Sequence, residues 1–220
     1  MTNADATLGQ TPRHRTGQGH AHAAELSEGG GHGTSKRVVV AFGFWMFLIS
    51  DIIMFAAFFA AYAVLSDRTA DGPAGRDLFD VGTATIETAC LLGSTLSCGI
   101  AGAAANARHR GLFHGAMAVT FLLGAGFIAI ELREFAHLIE RDAGPGRSAF
   151  LSAFFALIGC HGLHVSAGLL WLATMMAQVQ AKGFRADILR RMLCFNLFWH
   201  TLDIVWVALY SLVYLVGASR

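Results

Sequence analysis

Five apolar runs dominate this chain: Val38 to Leu65, Val81 to Ala107, Leu112 to His137, Ser148 to Val179 and Met192 to Val216. Each is long enough to cross a bilayer, for which a helix needs about 20 predominantly apolar residues. Lipid offers the backbone no hydrogen-bond partners, so a span is either a helix or part of a closed barrel. Runs of this length lack the two-residue alternation of barrel strands. The expected fold is therefore all-α, a polytopic membrane protein with a five-transmembrane-helix bundle. A soluble globule is excluded by 55% hydrophobic residues, 14% charged residues and a mean hydropathy of +0.52.

The basic residues orient the bundle. Arg13, Arg15, Lys36, Arg37, Arg108, Arg110, Lys182, Arg185, Arg190 and Arg191 fall on the side of the N-terminus. The other side has fewer, Arg68, Arg76, Arg141, Arg147 and Arg220, and gathers the acidic Asp67, Asp71, Asp77, Asp80, Glu140 and Asp142. The positive-inside rule then places the N-terminus in the cytoplasm and, after an odd number of spans, the C-terminus outside. Residues 1–37 differ in composition, with His14, His20, His22 and His32 among Gly, Thr and Ala, and are expected to form a disordered cytoplasmic tail ahead of a transmembrane domain at 38–220. The tail has no apolar core with a cleavage site, so the first span is expected to direct insertion. Its histidines lack the spacing of a defined metal cage.

The connections are too short for a soluble catalytic domain. Only Ser66 to Asp80 is longer, and Gly72, Pro73 and Gly75 mark it as a turn. No nucleotide loop, dinucleotide fingerprint, zincin motif or nucleophile elbow occurs. Cys90, Cys98, Cys160 and Cys194 lie inside spans without a CxxC pair and are expected to pack as small hydrophobes. Any function then lies in the bundle or on its faces.

Within the apolar runs sit groups that lipid excludes: Asp51, Glu87, Glu131, Glu134, His137, His161, His164, His200 and Asp203. A carboxylate at the bilayer centre costs roughly 2.5 to 3.5 kcal/mol on insertion scales, so such groups face other helices, partner subunits or a water-filled path. Glu131, Glu134 and His137 recur every three residues and form a stripe on one helix face, open to a structural reading as interhelix hydrogen bonding or a functional one as a proton or lipid-headgroup site. Arg133 lies almost opposite Glu131 on the helical wheel. In HGLHVSAG, His161 to Gly168, two imidazoles at i and i+3 stand among small residues that permit close helix approach. They are too near each other on one helix to clasp a haem, and mutual hydrogen bonding is the expected role. His200 and Asp203, in FWHTLDIVW, repeat the i, i+3 spacing with opposite charges. Asp51 has no basic residue within helical reach, leaving it open whether it is a hydrogen-bond donor or a titrating proton relay.

The segments FGFWMFLISD, FLLGAGFIAIELREF, RSAFLSAFFALIGCHGLHVSAGLLW and LFWHTLDIVWVALYSLVYLVG, with the Gly72-Pro73-x-Gly75 loop, together resemble subunit III of the haem-copper terminal oxidases. The resemblance runs from Phe42 to Gly217 and is closest to the five-span form of the bacterial cytochrome o ubiquinol oxidases. It implies a supporting subunit without a redox centre, in a complex that oxidises quinol, reduces oxygen to water and moves protons across the bacterial inner membrane. Haem b, haem o and copper would belong to subunit I, with subunits II and IV as further partners and bound phospholipid in this chain. Asp51 matches the family acid linked to sustained proton uptake and carbodiimide labelling, which is typically a glutamate in the larger cytochrome c oxidase form. Glu87 joins the interior polar groups. Glu131, Glu134, His161, His164, His200 and Asp203 match positions that help form a lipid-holding helix cleft. Arg133 departs from the branch, where an aromatic residue is usual. A relative serving a cytochrome c oxidase or nitric oxide reductase is the nearest alternative. A stand-alone proton-coupled transporter is another, although neither inverted repeats nor broken helices are visible.

Overall fold

The computed structural model describes residues 19–70 and 80–219, with side chains described at 38–70 and 80–217. The five apolar runs are five helices, α1 (Gly19–Leu65), α2 (Val81–Asn106), α3 (Arg110–Glu140), α4 (Ala149–Lys182) and α5 (Ala186–Leu209). A π-helical turn, Tyr210–Leu215, and a final helical turn, Val216–Ser219, continue α5. There are no strands among the described residues, and all five helices are long and apolar enough to cross a membrane. The first span, Val38–Leu65, falls where it is expected, and two helices begin well ahead of their expected spans. Helix α5 starts at Ala186 rather than Met192, and α1 begins at Gly19, well before its apolar run. The chain divides into the units Met1–Phe42 and Gly43–Arg220, the division falling within α1. The Gly72-Pro73-x-Gly75 loop and the tail histidines His14, His20, His22 and His32 lie outside the residues whose side chains are described.

Local chemistry sets the helix ends. Asp80 caps α2, its Oδ1 accepting from the Gly82 backbone N–H at 2.9 Å and its Oδ2 from the Thr83 hydroxyl at 2.7 Å. Ser148 caps α4 by accepting from the Leu151 N–H at 3.2 Å. Such caps satisfy backbone donors that have no partner within the first helical turn. Helix α2 closes with Arg108 at φ 58° and the His109 N–H on the Ala104 carbonyl. Helix α3 closes in the same way, with Asp142 at φ 59° and the Ala143 N–H on the Leu138 carbonyl. This left-handed closure reverses the chain within a few residues. It makes α2 and α3 antiparallel neighbours.

The hydrogen bonds from Thr83 and Gly82 hold the exposed Asp80 carboxyl below its usual range. A depressed folded-state value adds stability that is present above the unfolded carboxylate value and lost as pH falls through the folded one. Asp80→Ala is therefore expected to lower the thermal midpoint at neutral pH, with the gap to wild type closing in acid. Asp80→Asn is expected to keep much of the cap and lose the pH dependence. Thermal melts of detergent-solubilised protein across pH check this, and a gap that widens on acidification would contradict it.

Trp199 of α5 keys three helices together. Its indole lies against Gly124 of α3 and Gly168 of α4, where a Cβ would come within 3.1 Å and 2.8 Å of the ring, respectively. Its N–H donates to the Ser94 hydroxyl of α2 at 3.1 Å. Small residues at such crossings let helices approach where lipid removes the water-driven hydrophobic force. Ser97 and Thr120 add a hydroxyl pair between α2 and α3 at 2.7 Å. The buried Cys98 thiol donates to Asn196 Oδ1 at 3.2 Å, and all four cysteines are free.

Helix α1 is peripheral: 11% of its most apolar stretch is buried, against 50% for the last span. Leu48, Phe55 and Tyr62, spaced by sevens, are its buried residues among the described side chains. Its rings meet α4 in the pairs Phe44–Trp171 (5.9 Å), Phe55–His164 (5.3 Å) and Tyr62–Phe150 (5.9 Å). Away from α4, an apolar cleft of about 380 Å³ separates α1 from α5, with Trp45, Ile52, Phe59, Leu197, Ile204 and Ala208 in its walls.

Candidate functional site

Most of the polar residues picked out by the sequence fall into two groups. The first lies between α2, α3 and the π turn. Glu87 is fully buried and Glu131 is 3% exposed, while Glu134 is half-buried and His137 exposed. The three-residue stripe on α3 is thus a gradient from core to surface. Both oxygens of Glu87 and of Glu131, and Oε1 of Glu134, have no hydrogen-bond partner among the described residues. Glu134 Oε2 accepts from the Tyr214 hydroxyl at 3.3 Å. The Glu131 carboxyl rests on α4 at Gly162, where a Cβ would stand 3.4 Å from each oxygen. Glu87 and Glu134 are within electrostatic reach of Glu131.

The second group joins α1, α4 and α5. His161 is fully buried, stacked on Trp206 at 5.4 Å, with the edges of Phe55 and Phe127 beside it at 6.2 and 5.8 Å. The expected hydrogen bond between His161 and His164 is absent. Both His161 ring nitrogens lack partners, and His164 Nδ1 donates instead to the Cys160 carbonyl of its own helix at 2.7 Å. The reason is geometric, because the carbonyl four residues back is nearer to hand than a side chain three residues away. Asp51 is half-buried and within electrostatic reach of His164, a cross-helix neighbour that spacing along one helix does not reveal. His200 and Asp203 of α5 form a pair of their own, half-buried and within electrostatic reach of each other, with the Asp203 carboxyl turned to Thr95 of α2.

Sequence reasoning missed the aromatic residues that line this interior. Trp206 donates from Nε1 to the Thr88 hydroxyl at 3.0 Å, and Tyr210 shares a 3.0 Å bond with Thr85. With Trp199 on Ser94, the hydroxyls of α2 meet a ladder of ring donors on the last span. Trp206, Tyr210 and Tyr214 are four apart, and the wider π turn keeps Tyr214 directed inward. Such turns are frequent at functional sites. The four-residue ring spacing in FWHTLDIVWVALYSLVY was the available signal.

No group of three or more His, Cys, Asp or Glu side chains among the described residues is arranged to hold a metal ion. The site is a set of buried acids, imidazoles and ring donors inside a helical bundle. The chain matches the family described as cytochrome c oxidase subunit III over residues 22–218. It belongs to that family. It is 48% identical over 205 residues to the cytochrome bo(3) ubiquinol oxidase subunit 3 of Pseudomonas aeruginosa, covering 93% of each chain. It is 50% identical over 175 residues to the protein of that name from Pseudomonas putida, covering 80% of this chain and 84% of the relative. The quinol oxidase subunit 3 of Bacillus subtilis is 39% identical over 178 residues, covering 80% and 86%. This subunit III family member buries Glu87, Glu131 and His161 in the bundle interior, as the insertion cost of charge demands.

Proposed function

We propose that this chain is the non-catalytic subunit III of a bacterial haem-copper ubiquinol oxidase, which oxidises quinol, reduces oxygen to water and pumps protons. The observation that carries the reading is likeness across nearly the whole chain to proteins named ubiquinol oxidase subunit 3. Haem b, haem o and copper reside in subunit I of the complex, and subunits II and IV complete it. The chain lies in the inner membrane with its N-terminus in the cytoplasm, as the distribution of basic residues favours. It stabilises subunit I through buried surface and bound phospholipid. Asp51, beside His164, is the residue proposed to support proton uptake.

Mild-detergent purification through a tag on this chain tests the proposal. Comigrating b- and o-type haem spectra with quinol-dependent oxygen uptake are expected. A haem-free solitary chain would overturn it, and a complex that accepts electrons only from cytochrome c would move it to the other branch.

The apolar cleft between α1 and α5 suits a lipid acyl chain, since its walls offer almost nothing polar. Ala208→Trp is expected to fill part of the cleft and lower the phospholipid phosphorus retained per complex. Unchanged lipid content with the variant assembled would count against lipid at this position.

A further inference from the structure

The cleft at the other side of the acid cluster points to a second proton site, separate from Asp51. At the end of the bundle where α2 begins and α3 finishes, an open cavity of about 770 Å³ is lined by Asp80, Thr83, Arg133, Glu134, His137 and Arg141 among others. Arg133, which faces away from Glu131 on its helix, is exposed here. Glu134 is the residue common to this cavity and to the buried acids. One of its oxygens is held by Tyr214 and the other is buried and unpartnered. Behind it, Glu131 and Glu87 together present four oxygens without a partner, both side chains more than nine-tenths buried.

Unsatisfied oxygens at this depth are costly, and a buried water needs two to four polar partners, which these groups supply. The carboxyls are not drawn together as a metal cage among the described residues. Water and its protons are the ligand that fits. We propose that Glu87 and Glu131 form a buried, hydrated proton-binding site that exchanges with bulk water through Glu134, at the membrane face carrying the α1–α2 and α3–α4 connections.

The exchange is proton transfer only. A Glu134 oxygen takes a proton from hydronium in the cavity, leaving water, then passes it to bound water, which gives a proton to a Glu131 or Glu87 oxygen as it receives the one from Glu134; release follows the same path in reverse. The titratable and charged groups around it are Asp80 at the cap of α2 and Glu87 within it, Arg133, His137 and Glu140 from α3 with Arg141 just beyond, His161 from α4 and Tyr214 from the π turn. Tyr214 acts as a positioning residue by fixing one oxygen of Glu134.

Infrared spectra of the complex purified through this chain, recorded across pH and on transfer from water to deuterium oxide, test the proposal. A carboxyl stretch that changes with bulk pH and shifts in deuterium oxide is expected in the wild type. Glu131→Gln should remove the larger part of it. Glu134→Gln should keep that signal but slow its isotope exchange roughly 100-fold, the scale of a lost proton-transfer group. Glu134→Asp should restore fast exchange. Should the glutamine variants fail to assemble, Tyr214→Phe keeps the buried ring and must still slow exchange. A spectrum unchanged in Glu131→Gln and Glu87→Gln would overturn the proposal, as would wild-type exchange rates in Glu134→Gln or Tyr214→Phe. Stoichiometric calcium bound to the wild-type complex and lost in Glu131→Gln would also overturn it, by putting a cation in the site.

Discussion

Trp206→Ala is expected to cause the largest loss of stability of any single truncation in the bundle. Trp206 is fully buried and meets Phe127 edge-on at 4.6 Å, His161 face-on at 5.4 Å and Tyr214 at 6.2 Å. It also donates to Thr88, tying the last span to α2. Truncating a buried tryptophan in a water-soluble core costs about 3–5 kcal/mol, part of it transfer of the side chain out of water. In a bilayer the separated helices already sit in lipid, so that part is missing and the cavity and lost contacts remain. The expected loss is therefore about 2–3 kcal/mol. Trp206→Phe, which retains a ring but not the N–H, should lose less. Denaturation of the detergent-solubilised protein measures both. A loss within about 0.5 kcal/mol, the scale of a surface change, would show that the ring ladder contributes little.

What the sequence revealed follows from which information is local. Apolar length fixes the five spans, and the cost of intramembrane charge places Glu87, Glu131 and His161 inside, where the structure buries them. Caps at Asp80 and Ser148 are likewise readable from neighbouring residues. Pairings across helices are not. Asp51 beside His164, the Glu131 carboxyl on Gly162 and Tyr214 on Glu134 depend on helix order and rotation, which no i, i+3 pattern contains. The expected His161–His164 bond failed for the same reason: spacing identified two neighbouring imidazoles but not the nearer carbonyl of Cys160. The π turn was also hidden, because an extra residue in a helical turn leaves no mark on composition. It nonetheless decides where Tyr214 points.

Gly168→Leu is expected to do comparable damage by adding atoms rather than removing them. A Cβ at this position would lie 2.8 Å from one carbon of Trp199 and 3.1 Å from the ring of Phe198, before the rest of a leucine is counted. The indole has little room to retreat towards α3, because it packs over Gly124 so closely that even a Cβ there would stand 3.1 Å from the ring. Relief requires either a shift of α4 away from α5 or a rotation of Trp199 that breaks its bond to Ser94. Overpacking of this kind costs about 1–3 kcal/mol. An interhelical hydrogen bond in a membrane adds on average about 0.6 kcal/mol. Trp199→Ala alone should also destabilise, by opening a cavity, yet it makes room for the leucine. The double variant is thus expected to be more stable than the sum of the two losses allows, with a coupling of about 0.5–3 kcal/mol. Denaturation midpoints of the four proteins in the cycle give this coupling directly. Simple additivity would mean that Gly168 and Trp199 do not share one steric constraint, and that the close crossing of α4 and α5 is held by other contacts.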